Sequence, residues 1–441
     1  MKCPWVLISL YLWASWLPSF ALGADDLDDV LNHIIYAQAT FIPQWHPAFP
    51  ALYSGDLSLN PKPELDASFS SSLSAGKQFW DGGDIYATSE VFGGQGFSDL
   101  SGLADFPNDD IARAAEGVLG YNQAEVYFRQ VLGLGGDRED GPDSITPKWD
   151  ISRLSLTVGK FSVSDFFDKN AYSNDPRSQF MNQGLVNNSA WDYAANTDGS
   201  TWGIMAELNQ KDWTLRLCSA MVTDVAIGEN YDGNIAQARG DNAELEWRYT
   251  SGGKIRLLAY VNHAHMGSYQ DALDLSPLSP DITQTREYRE KVGFGLNWEQ
   301  SLNSNLGLFA RLGWNDGQTE SWMQAPVDET LSLGGILTGT GWGRQYDQLG
   351  LGFVVSGLST VHQAYLAAGG DDFSIGDGGL NYAPETVAEL YYLYNLNNLI
   401  NIPTTSQFGF TLDFQYVANP AFNQDRGPVF ITSARVHMEY L

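Results

Sequence analysis

Arginines and carboxylates set at every second position of extended segments are the residues of this chain whose type and spacing point to chemistry. In Asn242 to Tyr249, one face carries Asn242, Glu244, Glu246 and Arg248, and the other carries Ala243, Leu245, Trp247 and Tyr249. A face of that kind can hydrogen-bond a polar solute, or its charges can pair with one another. Covalent chemistry has less support. With 53 acidic residues, carboxylate pairs at glycosidase spacing arise by chance, and none stands out. The chain has no Gly-x-Ser-x-Gly elbow, His-Glu-x-x-His zinc helix or phosphate-cradling glycine loop. His263 and His265 could share one side of a strand as metal ligands, but no clustered Cys or third His supports them. No catalytic residue, cofactor or metal site is expected.

The elements that must position these residues are strands. Lys291 to Glu299 repeats the pattern, with Val292, Phe294, Leu296 and Trp298 opposite Lys291, Asn297, Glu299 and two glycines. A half-buried strand of a soluble sandwich shows the same period, so the connections have to decide. Strands are expected near 34–46, 64–75, 83–93, 121–134, 150–161, 200–209, 212–222, 242–250, 254–263, 290–300, 305–315, 328–337, 348–356, 386–396, 406–417 and 429–440, about sixteen in all. Tight joints such as Ser251-Gly252-Gly253 alternate with long ones at 94–120, 162–199, 223–241, 264–289, 316–327, 357–385 and 418–428. That rhythm predicts an all-β fold: an antiparallel transmembrane barrel with short periplasmic turns and long extracellular loops. The joint 135–149 breaks the rhythm by being a long turn. Pro43 weakens the strand at 34–46, and Ser68 to Ser74 gives the strand at 64–75 polar residues on both faces.

The chain's ends agree with a barrel. Lys2, the apolar run Val6 to Leu17 and Ala21-Leu22-Gly23 read as a secretory leader, residues 1–23, cleaved after Gly23. Residues 24–441 then form one barrel domain. Removing Cys3 would leave Cys218 without a disulfide partner. At the other end Phe430, Thr432, Ala434, Val436, Met438 and Tyr440 alternate with polar residues, an amphipathic closing strand. A net charge of -29 argues against nucleic-acid binding. A mean hydropathy of -0.23 is too polar for a helical membrane protein, while a barrel needs only one apolar face per strand.

Alternation sets Arg129, Arg153, Arg216, Arg248, Arg256 and Arg311 facing the lumen, and Leu245, Trp247, Phe294, Leu351 and Phe414 facing lipid. Residues 162–199 are the expected constriction loop. They concentrate charge and aromatic surface in Asp165, Asp168, Asp175, Arg177, Trp191, Asp192 and Tyr193.

The same segment carries a family likeness. Gly159-Lys160-Phe161-Ser162, Asp165-Phe166-Phe167-Asp168, Asn170 through Arg177 and Gln179-Phe180-Met181-Asn182 resemble the signature of carbohydrate-selective porins of the OprB type. Ala190-Trp191-Asp192-Tyr193, Phe309 through Gly317, Tyr365 through Gly370 and Ala418 through Asn423 extend the likeness, which runs from about Gln38 to the C-terminus. The resemblance implies passive diffusion of small sugars across a Gram-negative outer membrane, in contact with its lipid and lipopolysaccharide, by a monomer or homotrimer. In such a wall, carboxylates accept from sugar hydroxyls, guanidinium forks donate, and aromatic rings cover pyranose C–H faces. The contrasting expectations are an outer-membrane-associated enzyme acting on carbohydrate, or a non-conducting structural or adhesive barrel.

Overall fold

In the computed structural model, residues 34–440 are described, apart from 112–118, 142–144, 146–147, 325 and 399–405. The expected leader lies outside the described residues. Every second side chain is apolar over about ten residues at a time, and sixteen such segments pair antiparallel into a closed barrel. Its strands are β1 (Ile34–His46), β2 (Glu64–Trp80), β3 (Gly83–Gly94), β4 (Gly120–Gly133), β7 (Arg153–Phe161), β8 (Thr201–Asn209), β9 (Trp213–Met221), β10 (Arg239–Thr250), β11 (Gly253–Met266), β12 (Glu287–Ser301), β13 (Leu306–Asn315), β14 (Glu329–Gly339), β15 (Arg344–Gly357), β16 (Glu385–Asn395), β17 (Ser406–Ala418) and β18 (Val429–Tyr440). The long turn after β4 holds a two-stranded ribbon, β5 (Arg138–Asp140) and β6 (Lys148–Asp150), outside the barrel sheet. Among the described residues no helix is long and apolar enough to cross a membrane.

The two strands with the weakest sequence signal are both present. Pro43 pairs with Ala67 of β2, and the ladder to β18 skips Ile42 and Pro43, so the missing N–H costs bonds on one side only. Nor is β2 polar on both faces. Leu65 and Phe69 point outward, while Ser70, Ser72 and Ser74 turn inward to Asp110, Glu90 and Thr88. Ser71 is buried and donates to the Gln38 carbonyl.

Outward side chains form an apolar belt that includes Leu245, Phe294, Leu351, Phe353, Phe410 and Leu412, all exposed. Exposed aromatics ring the belt near both ends of the strands. Trp80, Trp213, Trp247 and Trp342 lie toward the short turns, and Trp45, Trp202, Trp314 and Tyr416 toward the long connections. Indole and phenol rings favour the membrane–water boundary because one side is apolar and the other carries a polar handle.

The interior is not uniformly wet. Ile336, Val354, Val387 and Val417 on β14 to β17 point inward and bury themselves against Phe180, Leu185 and Phe309. Apolar residues on both faces there, as at Val354-Val355, are the mark of strands buried on both sides.

Leu412, at the centre of β17, tests the lipid-facing assignment. Leu412→Arg should cost about 2–4 kcal/mol if it sits near the bilayer midplane, read as a lower urea midpoint for folding into vesicles.

Candidate functional site

Two of the long connections fold back into the barrel. Residues 162–200 descend along β10 to β18, and residues 97–110 lie beside them. The first segment contains α1 (Gln183–Val186), capped by the Asn182 side chain accepting from the Gly184 N–H.

Arg311 of β13 is the main fastening. Its Nε lies 2.9 Å from Asp168 Oδ2, and its other nitrogens donate to the carbonyls of Leu185 at 2.7 Å and Ser173 at 2.5 Å. Asp168 also accepts from Asn297 at 2.7 Å, and its own N–H donates to Glu244 at 2.7 Å. Farther round the wall, Glu389 accepts from the N–H groups of Met181 and Asn182 at 2.6 and 2.9 Å. Arg435 donates to the carbonyls of Pro176 and Gln179 at 2.6 and 2.9 Å. Close approach needs bare wall. Gly307 and Gly313 supply it, since a Cβ on either would overlap the Tyr172 ring or the Asn188 amide.

The segment fills the β10 to β18 side and leaves a chamber of about 420 Å³ against β1 to β4. Tyr36, Ser70, Ser72, Ser74 and Thr88 line it from the wall, and Asp165, Asp175, Arg177 and Ser200 from the segment. Glu90, Asp109, Asp110, Glu125, Asp198 and Lys169 complete its charged lining. The Arg177 Nε donates to Asp110 at 2.6 Å, and its Nη2 lies 3.7 Å from Glu90. Burial works to push the Asp175 carboxyl upward, but the neighbouring Arg177 and His437 outweigh it and hold the group below its ordinary value. Toward the short-turn end an aromatic layer follows, in which Tyr86 stacks on Tyr127 with centroids 5.1 Å apart and Phe166 meets Tyr127 edge-on.

Of the residues singled out in the sequence, Asp175 and Arg177 line this chamber. Asp168, Trp191, Asp192 and Arg311 are buried where the segment is fastened. Trp191 donates to Asn242 at 2.9 Å, and Asp192 accepts from the N–H groups of Trp322, Met323 and Gln324. Arg216, Arg248 and Arg256 belong to a cross-strand ion-pair ladder on β8 to β12. Arg216 reaches Glu207 and Glu244, each at 2.8 Å, Arg248 reaches Glu246 at 2.5 Å, and Arg256 bridges Glu246 and Glu299 at 2.8 and 3.0 Å. Arg129 and Arg153 close on Trp149 of the ribbon, their guanidinium carbons 4.5 and 4.7 Å from its ring. His263 and His265 both sit on the outer side near the long connections. The first lies 3.4 Å from Glu290, and the second packs edge-on against Tyr288. Among the described residues no group of three or more His, Cys, Asp or Glu could hold a metal ion.

The hydroxyl wall carries no charge or aromatic density to mark it in the sequence, although the serines at 68, 70, 72 and 74 alternate in step with a strand. The inward course of 97–110 carries no comparable signal.

A match to a family profile decides the family. The profile described as "Carbohydrate-selective porin, OprB family" matches residues 72–440. The chain belongs to that family. It is an outer-membrane porin of the Gram-negative type, and family and fold point to a channel rather than an enzyme. The porin is similar to the high-pH structure of Pseudomonas putida OprB, with TM-score 0.69 and 14% identity over 95% of this chain and 97% of that one. An anion-selective porin from Comamonas acidovorans aligns at TM-score 0.47 and 9% identity, covering 92% and 98%. Salmonella typhi OmpF in complex with daunomycin aligns at 0.49 and 10%, covering 92% and 97%. At 14% identity the likeness to Pseudomonas putida OprB speaks to the fold alone. No curated protein sequence matches the chain.

On the long-connection side, His362 of α3 (Thr360–Ala367) sits fully buried between two carboxylates. Its Nδ1 is 3.0 Å from Asp328 and its Nε2 is 3.2 Å from Asp372. The Tyr269 ring of α2 (Tyr269–Leu275) stacks on it at 4.1 Å and donates its hydroxyl to Asp372 at 2.6 Å. Burial alone lowers the imidazole pKa, but Asp328 and Asp372 overcome it and raise the value to about 9. Three of the porin's long connections are thus tied around one cation.

Two outcomes follow for these fastenings. Arg311→Met leaves Asp168 buried without its cation, at a cost of about 3–5 kcal/mol. Protease cleavage within 162–199 and noisier single-channel current should report the loosened segment. A raised imidazole pKa means the stabilisation is complete below the free value of 6.5 and is lost as pH rises through about 9. Amide exchange in 358–384 should therefore quicken across that window in the wild type, with no such step in His362→Gln.

Proposed function

We propose that this porin passes small neutral sugars by passive diffusion, with the inward segment 162–199 and the β1 to β4 wall forming its selective constriction. The short turns then face the periplasm and the long connections the outside. The observation that carries this reading is the lining of the chamber. Serine and threonine hydroxyls on β2 and β3 both donate and accept, and carboxylates opposite them accept. A sugar entering this chamber exchanges water for groups of matching polarity. The family description supports carbohydrate as the cargo. The chamber volume of about 420 Å³ falls in the small-solute range, ~300–1,000 Å³.

Arg177 and Trp191 act differently in this scheme. Arg177 borders the chamber, whereas the Trp191 ring is 1% exposed and holds the segment from behind.

Planar-bilayer conductance with graded neutral sugars is the direct test. An open channel whose current is blocked by sugar supports the proposal; a silent barrel, or turnover of the sugar, overturns it. Arg177→Ala unpairs Asp110 and Glu90 at the chamber wall and should weaken the block about tenfold, the scale of one disrupted charge-assisted hydrogen bond. Trp191→Ala should weaken it only with a rise in open-channel noise, and unchanged block in both variants removes the segment from the filter.

A further inference from the structure

The turn between β4 and β7 is long where the other turns at that end are short, and its ribbon folds into the barrel mouth instead of away from it. Trp149 of β6 packs on inward-facing wall residues. The guanidinium carbons of Arg129 on β4 and Arg153 on β7 stand over its ring at 4.5 and 4.7 Å. Arg129 also lies 3.1 Å from Asp84 of β3 and covers the Tyr86 ring at 4.5 Å. Farther across, Ile145 fills the space that a side chain on Gly76 of β2 would take. The turn therefore spans the strands that border the chamber.

Cross-strand register sets the clasp beneath the chamber in three layers. Ser74, Thr88 and Glu125 are paired neighbours on β2, β3 and β4, and all three line the chamber. Next comes the layer of Gly76, Tyr86 and Tyr127, followed by Asp84 paired with Arg129. Four residues of strand separate Glu125 from Arg129, about 13 Å along the wall. A solute leaving the chamber on this side meets the two stacked tyrosines and then Trp149.

We propose that Trp149 is a size-determining residue at the inner exit of the channel: clasped, its ring narrows the way out, and larger sugars leave only when it swings aside. This rests on the reading of the protein as a sugar channel with its short turns toward the periplasm, and it adds a second place where solutes are sorted. Two observations make the clasp one that opens. The Trp149 Nε1 and the Arg153 Nε are buried with no hydrogen-bond partner among the described residues, a cost that water relieves when the ring moves out. The ribbon itself is only three residue pairs long, and so short a hairpin is marginal without outside support. Part of that support is the pair between Arg153 and Glu139 at 2.5 Å, whose carboxylate side chain is 44% exposed.

Swelling of vesicles carrying the full-length porin tests this, with glucose, a glucose disaccharide and a glucose trisaccharide as probes. The readout is the ratio of trisaccharide to glucose rate, which a uniform loss of channels does not move. Trp149→Ala should raise that ratio on the order of tenfold, the scale of two lost cation–π contacts. Glu139→Gln, a change on the exposed ribbon, should raise it about twofold, the scale of one surface ion pair. An unchanged ratio in Trp149→Ala overturns the inner exit and leaves the sugar channel standing. Where Trp149→Ala fails to assemble, Glu139→Gln decides, and an unchanged ratio there overturns the proposal equally. A wild-type porin that conducts ions but excludes glucose overturns the sugar reading instead. The clasp is then read from single-channel conductance, which Trp149→Ala must raise for the proposal to stand.

Discussion

Backbone hydrogen bonding in lipid is the constraint on which everything else in this porin rests. A strand edge facing hydrocarbon leaves N–H and C=O groups with no partner, so the sheet has to close on itself. Here β1 and β18 make that closure, seven residue pairs long and interrupted only opposite Ile42 and Pro43. Once the wall is closed and one side of each strand is given to lipid, the polar side chains of the other side are committed to a single enclosed space. What happens inside is then a question of how those side chains satisfy each other.

They do so by two different arrangements. On β8 to β12, arginines and glutamates in cross-strand register neutralise one another along the wall. On β13 to β18, apolar side chains join Arg311, Glu389 and Arg435 in holding the backbone of the inward segment. Buried charges of this kind are costly unless each is matched, and the segment's carbonyls and N–H groups provide the matching. The segment is therefore as much part of the packed interior as any strand.

Strand positions were legible because a period of two and an alternation of short and long joints are both local signals. Trp247 and Leu412 could be set facing lipid from their neighbours alone. The chamber was less legible, for a physical reason. Alternation tells which side chains point inward, but not whether they meet solvent or another part of the chain. Arg256 and Arg311 are equally inward, yet one completes an ion-pair ladder and the other grips a connection that crosses 143 positions of sequence to reach it. Asp175 and Arg177 stand out because they lie in a segment dense in charge. The serines of β2 do not, because a run from Ser70 to Ser72 conceals which hydroxyls face in. Trp149 shows the same limit. Its clasp by Arg129 and Arg153 depends on a turn that folds back, which composition does not announce.

The off-centre position of the chamber has an evolutionary consequence. The strands that border it, β1 to β4, are largely separate from those that carry the fastenings of the inward segment. Substitutions at Ser72, Thr88 or Glu90 change the chamber lining without touching Arg311 or the apolar cluster around Phe180. The lining can therefore change at a few wall positions while the packed half of the interior keeps its contacts.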